Sequence, residues 1–127
     1  PEELACAFFK PSYISLECVL QEAGIIFQYD PKITVVSYLS RSLTIEDQLY
    51  LFRKIKSDML FNTVGINFLS NHVSKATAER AFLDLLYLDK EYYFDNLRPL
   101  NNEIVYKLLP AYQSKSLVTK ATNLLKK

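Results

Sequence analysis

The chain has 127 residues, of which half are hydrophobic and 23% charged, the size and make-up of one globular domain rather than a disordered segment. No apolar run approaches the ~20 residues that a membrane helix needs. The opening Pro1-Glu2-Glu3 is acidic where a secretory signal is basic, so a cytoplasmic protein is the expectation. The net charge of +1 hides a split: residues 1–103 carry 10 basic and 14 acidic side chains, a balance of −4, whereas Lys107, Lys115, Lys120, Lys126 and Lys127 follow with no acid. Such asymmetry points to an anionic partner for the C-terminal end.

Pro1-Glu2-Glu3 has the features of a first helical turn, because proline fits its first position and carboxylates suit the positive helix end. Leu4, Ala5 and Phe8 then share a face, and Pro11 stops the helix. Ser15 is expected to cap a second helix, with Leu16, Val19, Leu20 and Ala23 on one side and Gly24 closing it in a left-handed conformation. Ile33 to Tyr38 is β-branched and predicts a strand. Leu43 and Ile45 alternate with polar neighbours, Glu46-Asp47-Gln48 breaks the pattern, and the alternation resumes through Lys54, which predicts a β-hairpin. Ile66 and Phe68 predict another strand, with a turn at Ser70-Asn71 leading towards Val73. Thr77 can cap a helix from Ala78 to Leu88 that is apolar almost all round, as a central buried helix should be. Asn101 or Asn102 can cap the next, with Ile104, Val105, Leu108, Leu109 and Tyr112 on one face and Pro110 ending or kinking it. The last helix, about 114–126, sets Leu117, Val118, Ala121, Leu124 and Leu125 against Lys115, Lys120, Lys126 and Lys127. This order predicts an α+β domain: a small, largely antiparallel sheet packed on several helices, with a helical C-terminus.

Few residues offer chemistry. Cys6 and Cys18 lie in apolar helical patterns, with no Cys-x-x-Cys or Cys/His cluster to hold zinc. His72 has no nucleophile or acid at motif spacing, so a structural or exposed role is expected. Two glycines cannot build a phosphate-cradling loop, and no cofactor is expected. Glu46, Asp47 and Lys54 contain the residue types of a nuclease site, but a hairpin turn explains the acids more simply. The run Tyr50-Leu51-Phe52-Arg53-Lys54 could stack bases, although sheet packing is the plainer use. Asp84 inside the apolar helix is costly unless paired. Arg80, four residues earlier, shares its face, so a structural anchor is expected, with a catalytic carboxylate as the sharper alternative.

Two stretches resemble a known family. Pro11-Ser12-Tyr13-Ile14-Ser15-Leu16-Glu17-Cys18-Val19-Leu20 is similar to the P-S-Y-I-S-L-E-S-A-L signature of AbiEi-type antitoxins. Lys75-Ala76-Thr77-Ala78-Glu79-Arg80-Ala81-Phe82-Leu83-Asp84-Leu85-Leu86-Tyr87-Leu88 is similar to that family's A-[ST]-P-E-[KR]-A-L-L-D-L-L-Y-L. Cys18, Ala78 and Phe82 depart from it, and its glycines are kept only as Gly24 and Gly65. The resemblance spans nearly the whole chain. It implies the antitoxin half of a bacterial type IV toxin–antitoxin, or abortive infection, system that serves phage defence. Such a protein is a non-catalytic transcriptional autoregulator. It reads operator DNA through a winged helix-turn-helix, expected to lie outside this chain, and counters a nucleotidyltransferase-like toxin without a stable complex. The alternatives from other classes are a nuclease-like enzyme and a general protein-interaction domain, the latter suggested by the tyrosines between Tyr87 and Tyr93.

Overall fold

The computed structural model describes residues 2–8, 10–69 and 72–126, the side chain of Phe8 excepted; the expectations for Pro1, Ser70-Asn71 and Lys127 lie outside them. In chain order the elements are α1 (Glu2–Phe8), β1 (Tyr13–Ile14), α2 (Glu17–Glu22), β2 (Ile33–Ser37), β3 (Arg41–Ile45), β4 (Gln48–Lys54), α3 (Ser57–Leu60), β5 (Ile66–Phe68), β6 (Ser74–Ala76), α4 (Ala78–Leu88), α5 (Asn102–Leu108), a 3₁₀ turn (Leu109–Tyr112) and α6 (Lys115–Leu125). The fold is α+β, as the element order predicts. The described strands form a six-stranded sheet of order β3-β4-β2-β1-β6-β5. The pairings β3–β4, β2–β1 and β5–β6 are antiparallel, and β2–β4 and β1–β6 are parallel, so the sheet is mixed with an antiparallel majority.

Local chemistry sets most boundaries. Glu46 and Asp47 turn the β3–β4 hairpin with φ of 51° and 66°, the left-handed pair that a two-residue turn between twisted strands requires. Gly24, at φ 79°, lets the Ile25 and Ile26 amides return to the Leu20 carbonyl. Thr77, Asn101 and Ser114 each accept from backbone amides of the first turn of α4, α5 and α6. Pro110 falls where α5 tightens into the 3₁₀ turn.

The smaller core cluster packs Ala5 of α1 against Val35, Tyr50 and Phe52 on one face of the sheet. Tyr50 and Phe52 therefore serve sheet packing, and no base can stack on them. The larger cluster gathers α2, α4, α5 and α6 with Tyr13, Ile14 and Val36 of the central strands. Within it Ala81, Phe82 and Leu85 of α4 are buried, and Leu88 is half-buried at the helix end. The apolar stripes at the periphery are narrower than expected: Leu4, Ile104 and Val118 stay exposed, each at the margin of the face its helix buries.

One element is unannounced and one expectation needs correction. Between the first two helices Tyr13-Ile14, to which the sequence assigns no element, is a strand inside the sheet, joining β2 to β6. Ser15 is not the cap of α2. Leu16 occupies that position at φ 69° with no side-chain cap, and the Cys18 amide is satisfied instead by Thr34 Oγ1 of β2 at 3.0 Å. The cap comes from 16 residues away in sequence, beyond the reach of a local pattern.

Candidate functional site

The Ser15 hydroxyl does different work. It donates to Asp84 Oδ2 at 2.8 Å, beside the Tyr13 hydroxyl, which donates to the same oxygen at 2.9 Å. The Tyr112 hydroxyl donates to Asp84 Oδ1 at 2.6 Å. Arg80 Nε stands 3.7 Å from that oxygen, a charge contact too long for a hydrogen bond, and Nε has no hydrogen-bond partner of its own. The rest of the guanidinium is well used. One terminal nitrogen donates to the carbonyls of Asn62 and Val64 at 2.6 Å, and the other to Met59 O at 2.7 Å and to the Tyr13 hydroxyl at 3.0 Å.

Four side chains from β1, the segment after it, α4 and the 3₁₀ turn thus converge on the buried carboxylate of Asp84. Ser15, Arg80, Asp84 and Tyr112 are fully buried, and Tyr13 nearly so. A buried charge is tolerable only when its oxygens are satisfied, and three hydroxyls with one cation do this for Asp84. Burial pushes the Asp84 carboxyl above its ordinary value, opposed first by the Arg80 charge and then by the hydroxyls of Tyr112, Ser15 and Tyr13. Burial, and next the Asp84 charge, hold the phenols of Tyr13 and Tyr112 well above theirs. Arg80 also holds the backbone that follows α3. Gly65 lies against it, where a Cβ would come within 3.1 Å of Arg80 Cβ.

The expected Arg80–Asp84 anchor is therefore real but larger than an ion pair. Tyr13, Tyr112 and the three carbonyls escape a sequence reading. Tyr13 and Ser15 are two residues apart, the spacing that puts both side chains on one face of an extended chain; a strand at Tyr13, where the sequence reading assigns no element, is the signal that links them. Among the described residues no second carboxylate joins Asp84, and Asp84 is fully buried, so the cluster holds these chain segments together.

The other candidates are dispersed. Glu46 and Asp47 occupy the hairpin turn, while Lys54 ends β4, roughly 20 Å away at 3.3 Å per residue; these three do not assemble. His72 is exposed at φ 62°. Cys6 and Cys18 are free, and burial pushes both thiols up. Among the described residues no group of three or more His, Cys, Asp or Glu could hold a metal ion, and no helix is long and apolar enough to cross a membrane.

Of the C-terminal lysines, Lys107, Lys115 and Lys126 are exposed and Lys120 is half-buried; Lys127 lies outside the described residues. At about 100° per residue Lys115 and Lys126 fall on the same side of α6, and Lys120 lies roughly 120–140° round from them. They form a broad basic surface rather than a row. Lys115 sits in a first turn that contains no acid, where a cation opposes the helix dipole, so its charge does not serve the helix. No family model, curated protein or solved structure matches the chain.

Proposed function

We propose that this chain is an antitoxin and regulatory domain of the AbiEi type, non-catalytic, acting in the bacterial cytoplasm against a nucleotidyltransferase-like toxin. One observation carries the reading. The two stretches that resemble the family's signatures, 69 residues apart at Ser15 and Asp84, meet on a single buried carboxylate. The resemblance thus rests on physically coupled residues and not on two independent short matches. Its polar positions Tyr13, Ser15, Arg80 and Asp84 are explained together by one anchor, and Thr77 by the cap of the helix that carries it.

On this reading Lys107, Lys115, Lys120, Lys126 and Lys127 give sequence-independent contacts to the phosphates of operator DNA, and base readout belongs to a winged helix-turn-helix. The toxin is countered without a stable complex. The test is neutralisation in cells. A nucleotidyltransferase-like toxin encoded beside this chain is induced alone and together with it. Growth resumes only when the chain is present. Continued arrest in the presence of soluble, folded chain rejects the antitoxin role.

A further inference from the structure

A cleft of about 660 Å³ opens between the β5–β6 hairpin, β1 and the loop that follows α3. Its floor is apolar, with Tyr13 and Leu60 buried beneath it. Its mouth carries two aromatic rings, Phe61 and Phe68, at 68% and 67% exposure, far more apolar surface than the fold itself uses. Lys10 and His72 supply the charged and ionisable groups at its rim, and none of the described lining residues is acidic. Among the described residues Lys10 meets the Cys6 thiol only through its charge. The Cys6 thiol in the wall is pushed up by burial, so it adds apolar surface and not a nucleophile.

The cleft is braced from behind. Arg80 ties down the carbonyls of Met59, Asn62 and Val64, which fixes the loop forming one wall. The Tyr13 hydroxyl is held between Arg80 and Asp84, which fixes the ring on the floor. A preformed apolar hollow with a few polar groups at one side is the usual design of a small-molecule site, and here the charge at that side has one sign.

We propose that this cleft binds an amphipathic anion, a carboxylate carried on an aliphatic or aromatic body. The body lies over Tyr13 and Leu60 between the two phenylalanine rings, and the carboxylate takes hydrogen bonds from Lys10 and His72 at the rim. The inference stands apart from the antitoxin reading and survives its failure. Amide chemical shifts of the whole chain, titrated with decanoate and separately with decyltrimethylammonium, both below micelle formation, test it. Decanoate should give saturable shifts at residues 60–63 and 66–68, and the cation of equal chain length should not. Lys10→Glu with His72→Ala should weaken decanoate binding by about tenfold or more, the worth of a charge-assisted hydrogen bond, with the rest of the spectrum unchanged. Phe68→Ser, at an exposed edge position that folding does not need, should weaken it as well. Shifts that never saturate, an equal response to the cationic amphiphile, or unchanged affinity in the Lys10/His72 variant would each overturn the proposal.

Discussion

Replacing Asp84 with alanine should destabilise the fold more than any single hydrogen bond explains. The substitution removes the acceptor of three buried hydroxyls, those of Tyr13, Ser15 and Tyr112, and the counter-charge of a fully buried Arg80. Each orphaned hydroxyl costs about 1–3 kcal/mol where it cannot rotate to another acceptor, and breaking a buried charge pair costs about 3–5 kcal/mol. These figures overlap because they count the same carboxylate, so about 4–5 kcal/mol is expected, against the roughly 5–15 kcal/mol total of a small domain. Urea unfolding followed by circular dichroism measures it, with the midpoint shifting and the slope unchanged. Tyr112→Phe and Ser15→Ala should each cost about 1.5–3 kcal/mol, as bonds to a charged group do. A simple buried ion pair can be replaced by apolar residues with little loss. Arg80→Met with Asp84→Leu should fail here, because the carbonyls of Met59, Asn62 and Val64 lose their donor. A loss below about 1 kcal/mol in Asp84→Ala, or full recovery in the double variant, would refute the anchor.

Three further outcomes follow from the geometry. Leu85, 1% exposed, should cost about 2–5 kcal/mol as Leu85→Ala, read from the same unfolding curves; a smaller loss would place α4 outside the core. Tyr13 and Tyr112 are raised in the folded state, so the native protein holds more protons than the unfolded chain at alkaline pH. Their contribution is complete below the unfolded value of about 10 and is lost as pH rises towards the folded values. Phenolate absorbance should therefore show at least two of the nine tyrosines ionising only as the fold is lost, and full reversible titration of all nine in folded protein would contradict this. The chain should bind duplex DNA weakly and without sequence preference, and Lys115→Glu/Lys120→Glu/Lys126→Glu should abolish that binding without lowering the unfolding midpoint. For the unaltered chain log K should fall with log salt by about 0.9 for each phosphate neutralised, and equal binding by both proteins, or none by either at low salt, would return these lysines to the role of a solvated surface.

What the sequence discloses is what local chemistry decides. The apolar stripe alone announces α6, whose cap Ser114 comes from the structure. Thr77 announces the start of α4, and Asn101 or Asn102 that of α5, because a cap acts within three residues of itself. The alternation around Glu46 and Asp47 announces the hairpin for the same reason. The failures lie where a residue answers to a distant partner. Ser15 has the chemistry of a cap and stands one residue before the capping position, and its hydroxyl finds Asp84, which desolvation makes a demanding acceptor. Tyr13-Ile14 is too short to show a period, and it is a strand only because β2 and β6 flank it. Tyr112 reads as one more apolar position on α5, since nothing in its neighbours reveals that its hydroxyl reaches α4.

The anchor also bears on where function can reside. A carboxylate that needs donors from β1, the following segment and the 3₁₀ turn binds those elements into one requirement: changing Tyr13, Ser15 or Tyr112 leaves Asp84 short of a partner. The residues carrying the family resemblance are thus those the fold cannot spare, and their loss should act through stability, whatever the protein does. Activity must be sought among groups the fold can do without. Lys115 opposes the dipole of its own helix, and α6 is seated by Leu117 and Ala121 on its other side. Reversing the charges of the exposed Lys115 and Lys126 should therefore leave the core contacts of α6 in place, so that a loss of DNA binding would report on the surface and not on the fold. A variant set that separates the two — Asp84→Ala failing in urea at any ionic strength, the lysine variants failing only in a salt-dependent binding assay — distinguishes a scaffold defect from a damaged recognition surface.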